Sequence, residues 1–124
     1  MKPGITPLDT RKEFFFEEGC YILEIHSQDD DPALSIARCR VPQQVSTHWH
    51  RLHGITERYV ITEGEGLVEL EGGVQATVRA GDSVLIPPAC AQRITNTGSN
   101  ELVFLALCTP RFTVDAFEDM EPGQ

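Results

Sequence analysis

Residues 47–66 read THWHRLHGITERYVITEGEG and hold three of the four histidines of the chain, followed by a carboxylate and a glycine turn. His48 and His50 alternate, so on a strand their side chains would leave by the same face. Glu57 opens the next extended run, and Tyr59 shares its face. If the residues between the two runs fold back as a loop, the imidazoles and the carboxylate converge. Such a set of ligands is typical of a catalytic divalent-metal site.

The length and the net charge of the chain limit the classes of protein to which it can belong. The chain has 124 residues, enough for one domain with its own core, and 40% of them are hydrophobic. The formal net charge of -9 argues against a nucleic-acid backbone or an anionic membrane as a partner, because both attract basic surfaces. No apolar run approaches membrane-spanning length, and residues 1–18 lack the apolar stretch of a signal peptide. We therefore expect a cytoplasmic protein.

The four cysteines are Cys20, Cys39, Cys90 and Cys108, and no two of them form a C-x-x-C pair. This spacing argues against a zinc ribbon or a redox couple. Three of the four lie inside apolar runs, where a free cysteine behaves as a small buried hydrophobe. We interpret them as core thiols in a reducing compartment.

Strand-like runs recur about every ten residues, separated by glycine turns, and the chain shows no helical periodicity. The predicted strands after the N-terminal arm and outside residues 47–66 are Cys20–His26, 34–41, 67–71, Val74–Arg79, Ser83–Ile86, 89–97 and 101–108. This pattern predicts an all-β barrel or sandwich.

Three segments lead to expectations about the surface. Residues 1–18 form an extended arm in which Phe14 to Phe16 pack against the barrel or against a second subunit. Residues 101–108, ELVFLALC, are apolar on both faces, which predicts a strand buried on both. Together these surfaces favour a homodimer. Residues 111–124 begin extended and end acidic, and we expect this end to fray.

Residues 57–66, ERYVITEGEG, and residues 81–88, GDSVLIPP, are in register with two sequence motifs. In both motifs the chain resembles the cupin superfamily. The first family motif is G, five residues, H-x-H, three or four residues, E, six residues, G. Counting back from Gly64 places Glu57 in the glutamate slot, His50 in the first histidine slot and Leu52 in the second. Gln44 stands where the family has its first glycine.

The second family motif is G, five residues, P-x-G, two residues, H, three residues, N. In this chain it starts at Gly81 and continues through Pro87. Ala89 then replaces the glycine, Gln92 replaces the histidine, and Asn96 fills the asparagine slot.

The resemblance covers residues 34–108, a motif-bearing barrel core, and implies one cupin domain over residues 1–124. The fold it implies is all-β, a double-stranded β-helix that forms a jelly-roll-like barrel. Cupins that bind a metal generally use both histidines and the glutamate of the first motif with the histidine of the second. Of these, only His50 and Glu57 keep their places here, and Gln92 offers an amide oxygen, a poorer donor than imidazole.

A second histidine can replace the missing one in two ways. His48 lies two residues before His50, which gives a metal-ligand set of His48, His50, Glu57 and Gln92. His53 is the alternative, because three residues separate it from Glu57, as in the shorter family spacing. The implied cofactor is a divalent transition metal, namely Fe, Mn, Zn or Ni.

Two functions follow from this resemblance. In the first, the cupin is a metal-dependent oxidoreductase or isomerase, dioxygenase-like or isomerase-like, that acts on a small polar molecule, with Glu57 and Tyr59 as catalytic residues. In the second, the same pocket holds a small molecule without turnover and without metal. Fold membership does not choose between them, because one barrel hosts many chemistries.

Overall fold

The computed structural model describes residues 1–121 and consists almost entirely of antiparallel strands, which confirms the all-β prediction. The strands are β1 (Phe14–Phe16), β2 (Cys20–His26), β3 (Ser35–Val41), β4 (His50–Leu52), β5 (Thr56–Glu63), β6 (Glu65–Leu70), β7 (Val74–Arg79), β8 (Ser83–Ile86), β9 (Gln92–Asn96), β10 (Leu102–Thr109) and β11 (Phe117–Asp119). Two short 3-10 turns cover Thr10–Lys12 and Val114–Ala116. Within residues 1–121, no helix is long and apolar enough to cross a bilayer.

The strands form two sheets that face each other. The larger sheet has the order β1-β2-β3-β10-β5-β8, and the smaller has the order β11-β4-β9-β6-β7. Side chains that alternate inward along each strand fill the space between the sheets. Phe104 and Ile61 from the larger sheet meet Val68 and Ile94 from the smaller one in a single buried cluster.

Strand β10 lies at the centre of the larger sheet, paired with β3 on one side and β5 on the other. Its inward residues, among them Phe104, Ala106 and Cys108, are buried. On the outer face Val103 is buried, whereas Leu105 and Leu107 are only half-buried. The expectation of burial on both faces therefore holds fully for the inner face and in part for the outer one.

Two predicted strands begin later than the sequence pattern suggests. His48 precedes the strand that starts at His50, so the prediction that both histidines leave one strand by the same face is wrong. Strand β9 begins at Gln92 rather than at position 89, because Ala89 has a φ of 62° and lies in the turn after Pro87. The left-handed conformation of Ala89 suits the glycine that the cupin motif has there.

Both chain ends add a strand to a sheet edge. Phe14–Phe16 in the predicted arm pairs antiparallel with β2, and Phe16 packs against the core. Within residues 111–121, where fraying was expected, Phe117–Asp119 pairs with β4. Residues 122–124 lie outside the described residues.

Candidate functional site

The candidate site lies between the two sheets, where β4 of the smaller sheet faces β5 of the larger one. His50 is the first residue of β4 and pairs directly with Gln92 of β9. Glu57 faces inward from β5, flanked in the sheet by Ile86 of β8 and Cys108 of β10. Alternation then turns Tyr59 inward as well. His50, Glu57, Gln92 and Tyr59 are all buried.

A line of hydrogen bonds joins three of the predicted site residues. The Tyr59 hydroxyl donates to Gln92 Oε1 at 2.6 Å, and Gln92 Nε2 donates to Glu57 Oε1 at 2.9 Å. The Cys108 thiol donates to the other oxygen of Glu57 at 3.8 Å. The Tyr59 ring also packs on Phe104, with centroids 4.3 Å apart. The Gln92 amide is therefore fixed with its oxygen toward the phenol and its nitrogen toward the carboxylate.

His50 contacts a hydrogen-bond acceptor at each ring nitrogen. Nδ1 lies 2.6 Å from the His48 carbonyl oxygen, and Nε2 lies 3.0 Å from Glu18 Oε2. A carbonyl oxygen and an ionised carboxylate both accept, so both ring nitrogens must donate. His50 is therefore an imidazolium paired with the Glu18 carboxylate. The ring also packs on Phe117, with centroids 5.4 Å apart.

The charges in this cluster shift one another's pKa values. Burial works to lower the pKa of His50, but the charge of Glu18 and the hydrogen bond to it raise that pKa to about 9. Burial likewise opposes ionisation of Glu18, yet the His50 imidazolium brings the pKa of Glu18 below its usual value. For Glu57, burial and then the Glu18 charge raise the pKa to about 7. At neutral pH, Glu57 therefore exists in both protonation states.

The other two candidate histidines lie outside this cluster. His48 Nδ1 contacts Asp119 Oδ2 of β11 at 3.1 Å. His53 follows β4 in a turn, where its Nε2 contacts Glu118 Oε1 at 2.6 Å and half of its side chain is exposed. The structure therefore brings His50, Glu57, Gln92 and Tyr59 together and places His48 and His53 against the C-terminal strand.

Sequence reasoning missed Glu18, the carboxylate partner of His50. Glu18 lies in the turn between β1 and β2, ahead of a glycine with a φ of 106° at position 19. The alternation of the strand could have indicated it. Glu18 lies two residues before Cys20 and four before Ile22, and both of these side chains point inward, so Glu18 is expected on the same face. Phe117 was missed as well, since its segment was expected to fray.

A pocket of about 70 Å³ opens beside this cluster between β2, β3 and β10. Its inner wall includes Glu18, Cys39 and Cys108, so it reaches the residues that contact His50 and Glu57. Apolar side chains such as Phe16 and Phe112 form much of the remaining wall. The pocket is thus a mainly apolar cavity with a carboxylate at its inner end.

The described residues do not fit the predicted metal site. Within residues 1–121, no three His, Cys, Asp or Glu side chains are arranged to hold an ion. His50 has no free lone pair while Glu18 and the His48 carbonyl occupy both nitrogens. Gln92 presents its amide nitrogen to Glu57, whereas a metal would need its oxygen there. His48, the fourth predicted ligand, contacts Asp119 instead.

Comparison with known proteins places this barrel in a family. The family model for the cupin domain matches residues 37–108, more than half of the chain. The chain belongs to the cupin family. The larger and smaller sheets are accordingly the two halves of a double-stranded β-helix, as the motifs predicted. Glu18 and Phe117 of this cupin lie outside the matched range.

Similar proteins extend over nearly the whole cupin chain. An uncharacterized protein of Methanocaldococcus jannaschii is 29% identical over 123 residues, covering 98% of each chain. A predicted oxalate decarboxylase from Thermotoga maritima has a TM-score of 0.72 at 23% identity, with 85% of this chain and 99% of that one covered. The nucleoside dehydratase Pac13 has a TM-score of 0.75 at 13% identity, covering 95% and 92%. At these identities the solved structures establish the fold.

Proposed function

We propose that residues 1–124 form one cupin domain that acts as an enzyme, binding a small polar molecule in the barrel and moving a proton on it. The reaction class is isomerase-like or lyase-like. The observation that carries this proposal is a buried carboxyl group, Glu57, whose pKa of about 7 is suited to proton transfer at neutral pH. It lies beside a buried imidazolium and next to a pocket.

The roles of the cluster residues follow from their contacts. Glu57 takes or gives the proton, because burial holds its pKa between those of an ordinary carboxylate and of His50. Its thiol neighbour Cys108 also lines the pocket, so a small ligand at the inner wall lies one side chain from the carboxylate.

The other cluster residues position the charge. Glu18 lines the pocket and keeps His50 protonated, and the imidazolium behind it offsets the charge of the carboxylate that faces the ligand. Tyr59 and Gln92 hold the Glu57 oxygen in place through two buried hydrogen bonds. Tyr59 is thus a positioning residue in this proposal rather than a group that touches the ligand.

The proposal is tested by following deuterium uptake from D2O into small polar compounds by proton NMR. A panel of amino compounds, hydroxy ketones and small sugars covers carbon acids that isomerases and lyases activate. We expect exchange with the wild-type protein and a loss of about 100-fold or more with Glu57→Gln, as for removal of a general base. Glu63→Gln is the matched control, because Glu63 lies on the same strand but is exposed. Equal rates in the two variants would contradict the proposal.

The alternative is a cupin that binds its ligand without turnover. It is favoured by the apolar walls of the pocket and by the hydrogen bonds that already engage Glu57. A compound that shifts protein resonances or raises the unfolding temperature, yet exchanges no proton in the wild type, would favour this reading.

The predicted divalent metal stays a hypothesis with its own measurement. Metal analysis of protein purified without added metal is compared with a His50→Ala variant. Near-stoichiometric metal that is lost on substitution would support the sequence prediction. Wild-type protein without metal that still exchanges protons would support the proton-transfer reading.

We also propose that the cupin is a cytoplasmic homodimer. An aliphatic patch crosses three neighbouring strands on the outer face of the larger sheet, including Val60, Leu85 and Leu105. Leu85 is 61% exposed and Val60 37%, more than a solvated sheet face needs. Light scattering at micromolar concentration should give a dimer mass that Leu85→Glu lowers. A monomeric wild type would contradict this proposal.

A further inference from the structure

The pocket beside Glu18 has an asymmetric charge. Two carboxylates line it, Glu18 at the inner end and Glu24 at the outer end. No lysine or arginine is among the described residues that line it. The nearby arginines are engaged elsewhere: Arg38 and Arg40 pair with Glu13, and Arg111 pairs with Asp29.

The two carboxylates differ in whether their charge is balanced. Glu18 is paired with the buried imidazolium of His50. Glu24 follows Ile22 on the inward side of β2, at the open end, and has no ion-pair partner among residues 1–121. Lys12 lines the adjoining cavity together with Glu24, but the two form no ion pair among the described residues. The outer part of the pocket therefore presents a carboxylate without an ion pair, whose charge a positively charged group would neutralise.

Aromatic rings form a wall beside Glu24. Phe14, Phe16 and Phe112 line the pocket, and Phe16 packs edge-on against Phe14 and Phe112, with centroids 6.3 Å and 6.2 Å apart. Phe14 is 42% exposed, so its ring is available to a ligand at the mouth. Aromatic faces next to a carboxylate are the combination that recognises organic cations.

The size and the inner wall define the rest of the ligand. The cavity of about 70 Å³ fits a body of a few heavy atoms, and Ile22, Ala37 and Ala106 give it an apolar lining. Burying such a body is favourable only if it is itself apolar. An anionic ligand would lie against two carboxylates with no cationic side chain in the lining.

We propose that the pocket binds a small organic cation, an amine with a compact hydrocarbon body, whose ammonium group lies between Glu24 and the phenylalanine rings. This inference rests on the proposed function for the statement that the bound molecule is a substrate, and a substrate amine must in addition carry a carbonyl group that acidifies the C–H bond from which Glu57 takes a proton. It names the substrate class as small amines and excludes carboxylic acids, sugar phosphates and nucleotides. The ammonium group lies at the mouth, and the carbon body points inward toward Cys39 and Cys108.

The test uses three probes with one carbon skeleton, namely isobutylamine, isobutanol and isobutyrate. Binding is followed by chemical-shift changes of the full-length protein at pH 7, without any need for turnover. We expect saturable binding of the amine, weaker binding of the alcohol and none of the acid. Tightest binding of the alcohol or the acid would overturn the proposal, and so would the absence of amine binding.

Two variants test whether the carboxylate of Glu24 binds the ammonium group. Glu24→Gln should weaken amine binding about fivefold and leave alcohol binding unchanged, since only the charge is removed. Glu17→Gln is the matched control, because Glu17 is exposed in the neighbouring turn and does not line the pocket. Equal losses in both variants would show that the amine responds only to the overall negative charge, which would overturn the proposal.

The proton-transfer function and the cation preference fail in different ways. Amine binding without deuterium exchange in any amino compound would leave the pocket inference standing and reject the enzymatic proposal. Deuterium exchange in a neutral sugar, without amine binding, would support the enzymatic proposal and reject the preference of the pocket for amines.

Discussion

His50 and His53 are three residues apart, and each contacts a glutamate, yet their surroundings differ greatly. The His50 side chain is 3% exposed and faces a Glu18 side chain that is 14% exposed. The His53 side chain is 50% exposed, and its partner Glu118 is 40% exposed. The surface pair is the shorter one, at 2.6 Å against 3.0 Å. Burial rather than distance decides which pair contributes more to stability. Water screens the exposed pair of His53 and Glu118 far more than the pair of His50 and Glu18.

The largest expected difference between the two sites comes from deleting each ring. His50→Ala leaves the largely buried carboxylate of Glu18 without its partner and should lower the free energy of unfolding by about 3 kcal/mol. His53→Ala should leave the unfolding midpoint nearly unchanged. Urea unfolding followed by circular dichroism measures both. Similar midpoints for the two variants would mean that the buried pair is not a distinct environment.

The next effect is a dependence of stability on pH. The folded-state pKa of His50, about 9, lies above its unfolded value of 6.5, so its contribution is complete below pH 6.5 and is lost as the pH rises through 9. Glu57 acts in the same direction at lower pH, because its raised pKa makes ionisation costly between pH 4.5 and 7. We expect the stability to fall by on the order of 2 kcal/mol between pH 6.5 and 9.5.

Two histidine variants show which side chain causes this fall in stability with pH. His50→Gln should flatten the fall in stability between pH 6.5 and 9.5, whereas His53→Gln should keep it. Unfolding midpoints measured at several pH values provide the comparison. A wild type whose stability rises across that range would contradict the pairing of His50 with Glu18.

A smaller effect is expected inside the buried hydrogen-bond line. Tyr59→Phe keeps the ring on Phe104 but leaves Gln92 Oε1 buried without its donor. We expect a loss of about 1 to 2 kcal/mol in the free energy of unfolding, the usual cost of an unsatisfied buried acceptor. An unchanged stability in urea would indicate that the amide finds another donor.

The smallest effect belongs to the surface network. Glu118 accepts hydrogen bonds from both Arg51 and His53, but all three side chains are substantially exposed. Glu118→Gln should therefore leave the thermal midpoint unchanged within the error of calorimetry. A clear drop would mean that β11 depends on this contact for its pairing with β4.

The same contrast explains what could be predicted from the sequence. Strand parity and motif spacing were sufficient to bring Glu57, Tyr59 and Gln92 to one buried place, because alternation fixes the face of each side chain. They were also sufficient for the all-β fold, since turns and alternating runs recur along the chain.

Predictions from strand alternation were wrong or incomplete for residues that lie outside a strand. His48 lies just outside β4, so alternation no longer determines its direction, and it turns to Asp119. Glu18 lies in a turn, and its contact with His50 depends on how the first strands pack on the smaller sheet. Strand parity indicates only that Glu18 points inward, and the motif spacing does not indicate which residue contacts His50, because that contact depends on the packing of distant segments.

The two residues that flank the His50 ring, Glu18 and Phe117, come from opposite ends of the chain. Neither belongs to the stretch 37–108 that marks the family. Substitutions at Glu18 or Phe117 can therefore change the surroundings and the protonation of an interior imidazole without touching the segment that carries the family motifs.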